Sequence, residues 1–331
     1  MTATIKDVAK MAGVSVATVS RVLNDSAVVS PEAAESVRKA VDALGYSPNF
    51  LGRNLRKCKT HIILAVLPTI LKSIYSDIVD GMQTAAAESG YEVLLSTDNT
   101  VTDYEMKTLK MLDNRIADAA VLLGTHLSGE KLEELSKKQC IGLCCERTTS
   151  DKILTVTVDN VSAAYSAVEL LIKRGHKRIG MISTENRILS SVDREKGYMN
   201  ALELTGIPFK EEYLWRGEYD WTSGSDAIAY FMSLKEPPTA VFAISDDLAI
   251  GAIAETKRRG ISAGKDFPII GFDNIPYSAM NSPSISTVSQ PGFLMGETVV
   301  MKIIYKLTEK HDCNDQILLP YEMVLRESTG D

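Results

Sequence analysis

The sequence lacks any stretch approaching the roughly 20 consecutive apolar residues that a membrane-spanning helix needs. It opens on Met1-Thr2-Ala3-Thr4-Ile5-Lys6-Asp7, which carries charge where a secretory leader requires an apolar run. These absences predict a cytoplasmic protein without a membrane partner. Cysteine is sparse and odd in number, five residues at irregular spacing, which suits a reducing compartment and argues against a disulfide framework. Cys140, Cys144 and Cys145 invite a metal reading. A strand would send Cys144 and Cys145 to opposite faces, however, and no histidine stands nearby to complete a tetrahedron, so buried strand cysteines and no metal are expected. The four histidines, His61, His126, His176 and His311, fall in unrelated contexts. There is no G-x-x-x-x-G-K phosphate loop, no H-E-x-x-H helix and no G-x-S-x-G elbow. The adjacent acids Asp246 and Asp247 would diverge at a helix start instead of flanking a scissile bond. An enzyme, or a protein with a resident cofactor, is therefore not expected.

What is present is 331 residues, 45% hydrophobic and 24% charged, ordinary globular composition in a chain too long for one core. Its charge is uneven. Residues 1–60 hold nine Lys/Arg against five Asp/Glu, a surplus of four, while the chain as a whole carries −7 and so leaves −11 on the remainder. A basic head on an acidic body suits a head that meets a polyanion, although a mildly basic segment alone is commonly a solvated face.

Within the head, Thr4 is placed to cap a first helix whose Ile5, Val8, Ala9 and Ala12 form one apolar stripe, and Gly13 stops it. Ser15 caps a second, Val16 to about Leu23, with Val19, Val22 and Leu23 inward. Ser30-Pro31-Glu32 starts a third, with Ala34, Val37, Val41 and Leu44 inward and Gly45 closing it. Three short helices could be a small structural subdomain. The second helix favours more: its outer face carries Ser15, Val16, Ala17 and Thr18, all small, and one arginine, Arg21, which fits a major groove where arginine reaches guanine.

The run TIKDVAKMAGVSVATVSRVLN, followed by VS and LGYSPN, resembles the headpiece of the lactose-repressor and galactose-repressor family. That resemblance implies a helix-turn-helix headpiece over residues 1–47 with DNA contacts from Thr4, Ser15, Val16, Ala17, Thr18, Ser20, Arg21, Asn24, Tyr46 and Asn49. The same resemblance makes Arg21 the main base reader. Ala33-Ala34 stands where the family usually has Thr-Arg, which removes one expected phosphate contact. Residues 48–60 read by themselves as a basic linker. The resemblance makes them a hinge helix in which Leu55 wedges into the minor groove while Arg53, Arg56 and Lys57 lie near phosphates. Gly52, where alanine is usual, costs about 1 kcal/mol of helix propensity, so Gly52→Ala is expected to tighten DNA binding. Cys58 follows the hinge, where two symmetry mates could approach each other.

Beyond residue 60, short apolar runs alternate with amphipathic segments, the pattern of parallel sheets flanked by helices. Strands are predicted at Ile62–Leu67, Glu92–Ser96, Ala119–Leu123, Ile141–Cys145, Arg178–Ile182, Ala240–Ile244 and Pro268–Phe272. The repeat suggests two doubly wound lobes with a ligand edge at the strand ends. The family resemblance continues through VDNVSAAYSAVELLIKRGHKRIG, DDLAIGA, IIGFDNIPYS and LPYEMVLRES. It implies a periplasmic-binding-protein-like (type I) sensor core over 61–331, with an N-lobe of 61–159 plus 291–321, a C-lobe of 160–290, and crossovers near Thr157–Asn160, Ser289–Gly292 and Pro320–Met323.

A sugar-like ligand asks for charged groups that hold two hydroxyls each and an aromatic face. On the family's motifs, Arg194 and Asp273 are the expected hydroxyl contacts, Tyr75, Tyr219 and Trp221 can stack, and Glu146, Arg147, Ser190 and Asp246 can line the rim. Each has a plainer alternative: a Glu-Arg pair is usually a solvated turn, a helical aromatic is usually core, and Asp246 can cap a helix beginning at Asp247. Arg147, Arg187 and Arg194 hint at an acidic or phosphorylated sugar. The whole implies a regulator, a repressor, that binds a pseudo-palindromic operator as a homodimer through outer helices after Tyr75 and Gly224, and that associates with the nucleoid when bound. No heptad tail follows that would join dimers into tetramers. Two other readings stand beside it: a catabolite-type regulator answering to a phosphoprotein, and a solute-binding protein without DNA function.

Overall fold

The computed structural model describes residues 3–23, 29–46, 59–97, 104–309 and 314–331. The expectations for Asn24, Asn49, Gly52, Arg53, Leu55, Arg56, Lys57 and Cys58, and so for the hinge, lie outside the described residues. The chain divides into two units, Met1–Thr60 and His61–Asp331.

In the first unit α1 (Ile5–Ala12) starts where the Thr4 N–H donates to Asp7 Oδ2 at 2.9 Å and the Thr4 hydroxyl donates to the same oxygen at 2.7 Å. It ends at Gly13, whose φ of 67° is a left-handed cap natural to glycine. Helix α2 (Val16–Leu23) begins after Ser15, whose Oγ accepts the Thr18 N–H at 3.1 Å. Helix α3 (Pro31–Leu44) is capped by Ser30 Oγ, with proline in its first turn. Val8, Ala9, Val19, Val37 and Ala40 are the buried centre of the bundle. Ala40, absent from the predicted inward set, closes that core, and Tyr46 packs against it.

The second unit holds two six-stranded sheets. The strands of the first are β1 (Ile62–Leu67), β2 (Glu92–Thr97), β3 (Ala119–Leu122), β4 (Cys140–Cys144), β5 (Leu154–Val158) and β11 (Gln316–Leu319), ordered β11-β5-β4-β3-β1-β2 and parallel throughout. The strands of the second are β6 (Ile179–Thr184), β7 (Leu214–Gly217), β8 (Ala240–Ala243), β9 (Ile269–Asp273), β10 (Ser286–Ser289) and β12 (Glu322–Val324), ordered β12-β10-β9-β8-β6-β7. Among the described residues only β12 departs from parallel pairing, lying antiparallel to β10 along one edge. The chain passes between sheets after β5, after β10 and between β11 and β12. Strands β5, β7, β10, β11 and β12 were not among those predicted. Leu-Thr-Val-Thr-Val of β5 alternates apolar with threonine as a half-exposed strand would, yet it is buried along its whole length because sheet neighbours and helices cover both faces.

Helices cover the sheets: α4 (Ile74–Glu88), α5 (Tyr104–Asp113), α6 (Gly129–Ser136) and α12 (Gly292–Glu309) on the first, and α7 (Asn160–Lys173), α8 (Leu189–Leu204), α9 (Trp221–Phe231), α10 (Asp246–Arg258) and the short α11 (Pro276–Met280) on the second. Helices α4 and α12 meet backbone to backbone. A Cβ on Gly81 would stand 2.0 Å from the Phe293 carbonyl oxygen, and one on Gly296 would stand 1.9 Å from that of Ile78.

Candidate functional site

Between the two sheets, at the carboxyl ends of their strands, lies a cavity of about 20 Å³, the place where doubly wound sheets put ligands. A water molecule needs roughly 10–15 Å³ and a drug-sized ligand several hundred. The lobes are therefore shut, and a ring-sized ligand enters only if they part.

Each wall arrives from an element start or end. Lys72, Ile74 and Tyr75 come from the start of α4, Gly124 from the loop after β3, and Cys145 and Glu146 from the end of β4. Ile188, Ser190 and Arg194 come from the start of α8, Tyr219 from the loop after β7, and Asp273 from the end of β9. Asp273 and Asn274 have φ of 113° and 58°, a sharp left-handed turn at the strand end, and Cys145 at φ 59° makes a similar turn. Cys144 is buried in β4 and Cys145 leaves it for the cleft, so the expected alternation of the two along one strand ends at Cys144.

Arg194 is fully engaged. Its guanidinium lies 3.6 Å over the Phe272 ring, Nε donates to Asn160 Oδ1 at 2.9 Å, one NH1 donates to the Ile244 carbonyl at 2.5 Å, and Asp273 stands 3.5 Å away. Gln290 Nε2 donates to Asp273 Oδ1 at 2.6 Å. Burial still pushes the Asp273 carboxyl up to about 6, against the pull of Arg194. Glu146 accepts from the Ser190 N–H at 2.8 Å, the Ser190 hydroxyl at 2.9 Å and the Arg147 N–H at 3.1 Å. Burial raises its pKa as well. Tyr75 donates its hydroxyl to the Leu123 carbonyl at 3.2 Å, and burial holds both it and Tyr219 well above the ordinary phenol value.

Six of the nine expected effector residues thus meet at the cavity: Tyr75, Glu146, Ser190, Arg194, Tyr219 and Asp273. Three do not line it. Arg147 forms a bidentate pair with Asp193. Trp221 is 61% exposed at the first turn of α9. Asp246 is wholly buried, accepting from the Ile275 N–H at 3.0 Å and the Ser278 hydroxyl at 2.5 Å, and so caps α11. Helix α10 starts at Asp246 itself with Ser245 as its cap, one residue before the start expected at Asp247. The arginines expected to welcome an acid are all committed, Arg187 to Glu195 at 2.9 Å. Glu146-Arg147 is no solvated turn, because Glu146 is 1% exposed.

Residue reasoning missed Lys72, Cys145, Asn160 and Gln290. Asn160 sits in the VDNVS motif and was there to be found, whereas a single lysine after Leu-Pro-Thr-Ile-Leu looks like any loop lysine. Lys72 is 9% exposed, with Nζ 3.6 Å over the Tyr219 ring, and burial pulls its ammonium down to about 8.

In the first unit Ser15, Val16, Ala17 and Arg21 are exposed on one side of α2, with Thr18 and Ser20 half-buried beside them and Val19 facing inward. Thr4 is spent on capping α1. No group of acids, histidines and cysteines that could hold a metal occurs among the described residues, nor does any helix there have the length and apolarity to cross a membrane.

These two units, a helix-turn-helix bundle and a pair of doubly wound lobes around a polar cleft, are those of a bacterial transcription regulator with a sensor core. Residues 4–49 match the family described as bacterial regulatory proteins, lacI family, and residues 60–327 match periplasmic binding proteins and sugar binding domain of LacI family. The chain belongs to the LacI family of transcription regulators.

Among its relatives is the HTH-type transcriptional repressor CytR of Escherichia coli, 34% identical over 99% of this chain and 96% of that protein. Catabolite control protein A of Priestia megaterium is 33% identical over 99% and 100%. Of solved structures, the transcriptional regulator CelR–cellobiose complex is 26% identical with a TM-score of 0.75, covering 98% of this chain and 99% of that one. The lac repressor dimer bound to operator and the anti-inducer ONPF shares the fold at a TM-score of 0.89 and 23% identity, over 99% of each chain. These relatives are regulators rather than enzymes.

Proposed function

We propose that the protein is a repressor that binds a pseudo-palindromic operator as a homodimer and whose affinity for it is set by a small carbohydrate-derived effector held in the cleft. One observation carries the effector half: the polar side chains that converge from both lobes on a single cavity, where Arg194 and Asp273 would take hydroxyls and Tyr219 the ring's apolar face once the lobes part. Tyr75, Glu146 and Ser190 complete the lining, while Arg147 adjoins it through its pair with Asp193 and Trp221 and Asp246 fall outside it. The DNA half rests on α2, whose small exposed residues admit the helix to the major groove with Arg21 reaching base edges. Residues 1–47 act as headpiece, 48–60 as hinge with Arg53, Leu55 and Arg56 on DNA, and 61–331 as sensor. Closing or opening the cleft biases how the two N-lobes of a dimer present their hinges, and that bias is the coupling free energy between effector and operator.

The test has two arms on the full chain. Selection from random DNA at physiological salt is expected to return a two-fold symmetric site, with thermal stabilisation by one member of a panel of sugars, sugar acids and sugar phosphates. Failure to enrich any symmetric site would overturn the regulator reading of this chain. Enrichment without stabilisation by any small molecule, but with stabilisation by a protein partner, would replace the effector with a coregulator.

A further inference from the structure

The charges around the cavity are not equally provided for. Arg194 has Asn160, the Ile244 carbonyl and Asp273; Asp273 has Gln290; Glu146 has two donors on Ser190 and one on Arg147. Asp247, which approaches from α10, accepts from the N–H and hydroxyl of Ser73. Lys72 is the exception. Its side chain is about nine-tenths buried and lines the cavity, yet among the described residues its ammonium makes neither a hydrogen bond nor an ion pair. It rests on the face of Tyr219 at 3.6 Å, with Tyr75 at 5.6 Å. An ammonium has three donors and no acceptor, and the aromatic face meets at most one direction of it.

The seat on Tyr219 is also where a sugar ring would stack, so a ligand entering as the lobes part must take that place from the ammonium. A neutral ligand would offer the displaced cation hydroxyl lone pairs but no charge. Asp273, Glu146 and Asp247 act on Lys72 from a distance but are each bound to other donors, whereas a ligand that carries its own negative oxygen group gives the ammonium a directly hydrogen-bonded counter-ion.

We infer that the cleft selects an effector bearing an anionic oxygen group, a carboxylate or a phosphate ester, and that Lys72 is the residue that selects it. This rests on the cleft being an effector site, and it moves the cation that reads the acid from the arginines to a lysine. That burial holds the ammonium below its ordinary value agrees with a cation short of compensation in the closed cleft.

The probes are inorganic phosphate and, separately, acetate, added to the full-length protein without DNA or sugar, with sodium chloride adjusted to constant ionic strength. Competitive labelling of Lys72 with 1-fluoro-2,4-dinitrobenzene across pH, which releases fluoride and no carboxylate or phosphate, read by mass spectrometry, gives its titration midpoint. The midpoint is expected near 8 without a probe and is expected to rise by about one unit with the anion that fits. Phosphate alone shifting it points to a phosphate ester, and acetate alone points to a carboxylate. In a thermal-shift series the same anion is expected to stabilise wild type and Lys72→Arg but not Lys72→Gln. The inference is overturned if neither anion moves the midpoint, or if Lys72→Gln answers the anion as wild type does. A midpoint that moves while no sugar-derived compound binds would keep the anion site and remove the carbohydrate effector. Binding of neutral sugars with an unmoved midpoint would do the opposite.

Discussion

Lys72 and Arg194 carry the same charge into the same cavity and are held in opposite ways, the arginine by a stacked ring and three polar partners, the lysine by a ring alone. The contrast gives a pH dependence with a definite sign. Lys72 is faced by Tyr75 from α4, Cys145 and Glu146 after β4, Arg194 from α8, Tyr219 after β7, Asp247 from α10 and Asp273 at the end of β9. Its folded value of about 8 lies below the ordinary 10.5. Across that window the unfolded chain holds a proton the folded chain has lost, so stability rises with pH; below it the buried charge costs on the order of 3 kcal/mol. Lys72→Met is therefore expected to melt higher than wild type at pH 7, with the gap closing by pH 10. Asp273 works the other way, since its value is raised from 3.8 to about 6 and ionisation on going from pH 4 to 6 lowers stability. Arg194→Met would leave that carboxylate buried without its cation, a loss of about 3–5 kcal/mol at pH 7. The deficit should shrink at pH 5, where Asp273 is protonated; a melting deficit equal at both pH values would show that Arg194 does not compensate Asp273. Polar residues of this kind were only partly legible. Arg194 and Asp273 stood in recognisable motifs, but whether Lys72 faces water or a tyrosine depends on a loop and a strand end more than a hundred residues apart in sequence.

At the scale of elements, caps and close contacts decide what can be changed. Ser15 holds the first turn of α2 through the Thr18 N–H, so Ser15→Ala is expected to cost about 0.5–2 kcal/mol of headpiece stability. Circular dichroism of the full chain would register it as loss of an early, low-temperature helical transition. Where α4 meets α12, Gly81→Ala would drive a methyl to 2.0 Å from the Phe293 carbonyl, and the helices must separate at a cost of about 1–3 kcal/mol. An unchanged melting temperature in that variant would mean the two backbones are not in contact. The headpiece helices and strands with a distinct apolar run were readable because period and run are local properties, whereas β5 and β10, inside their sheets, are broken by threonine and serine and gave no such run. The edge strands β7, β11 and β12 were not: each has three or four residues, and what makes them strands is the partner's hydrogen-bonding edge, not their own composition.

For the whole molecule the two units divide the labour, and their variants should divide likewise. Arg21 is exposed on α2; Arg21→Ala is expected to weaken operator binding by about 1–3 kcal/mol, a factor of roughly 10 to 100, without changing the melting of residues 61–331. Gel-shift titration beside calorimetry checks both halves, and a variant that lowers both would place Arg21 in the fold of the chain instead of on DNA. The class of each unit is written locally, since a capped three-helix pattern and a repeated strand-helix pattern depend on residues that lie near one another along the chain. Tertiary structure alone decided which charges share the cleft and which of them lack a partner, because burial and pairing are set by walls from distant segments: a lysine at the start of α4, a tyrosine after β7 and an aspartate at the end of β9 acquire their chemistry only when two sheets close on them.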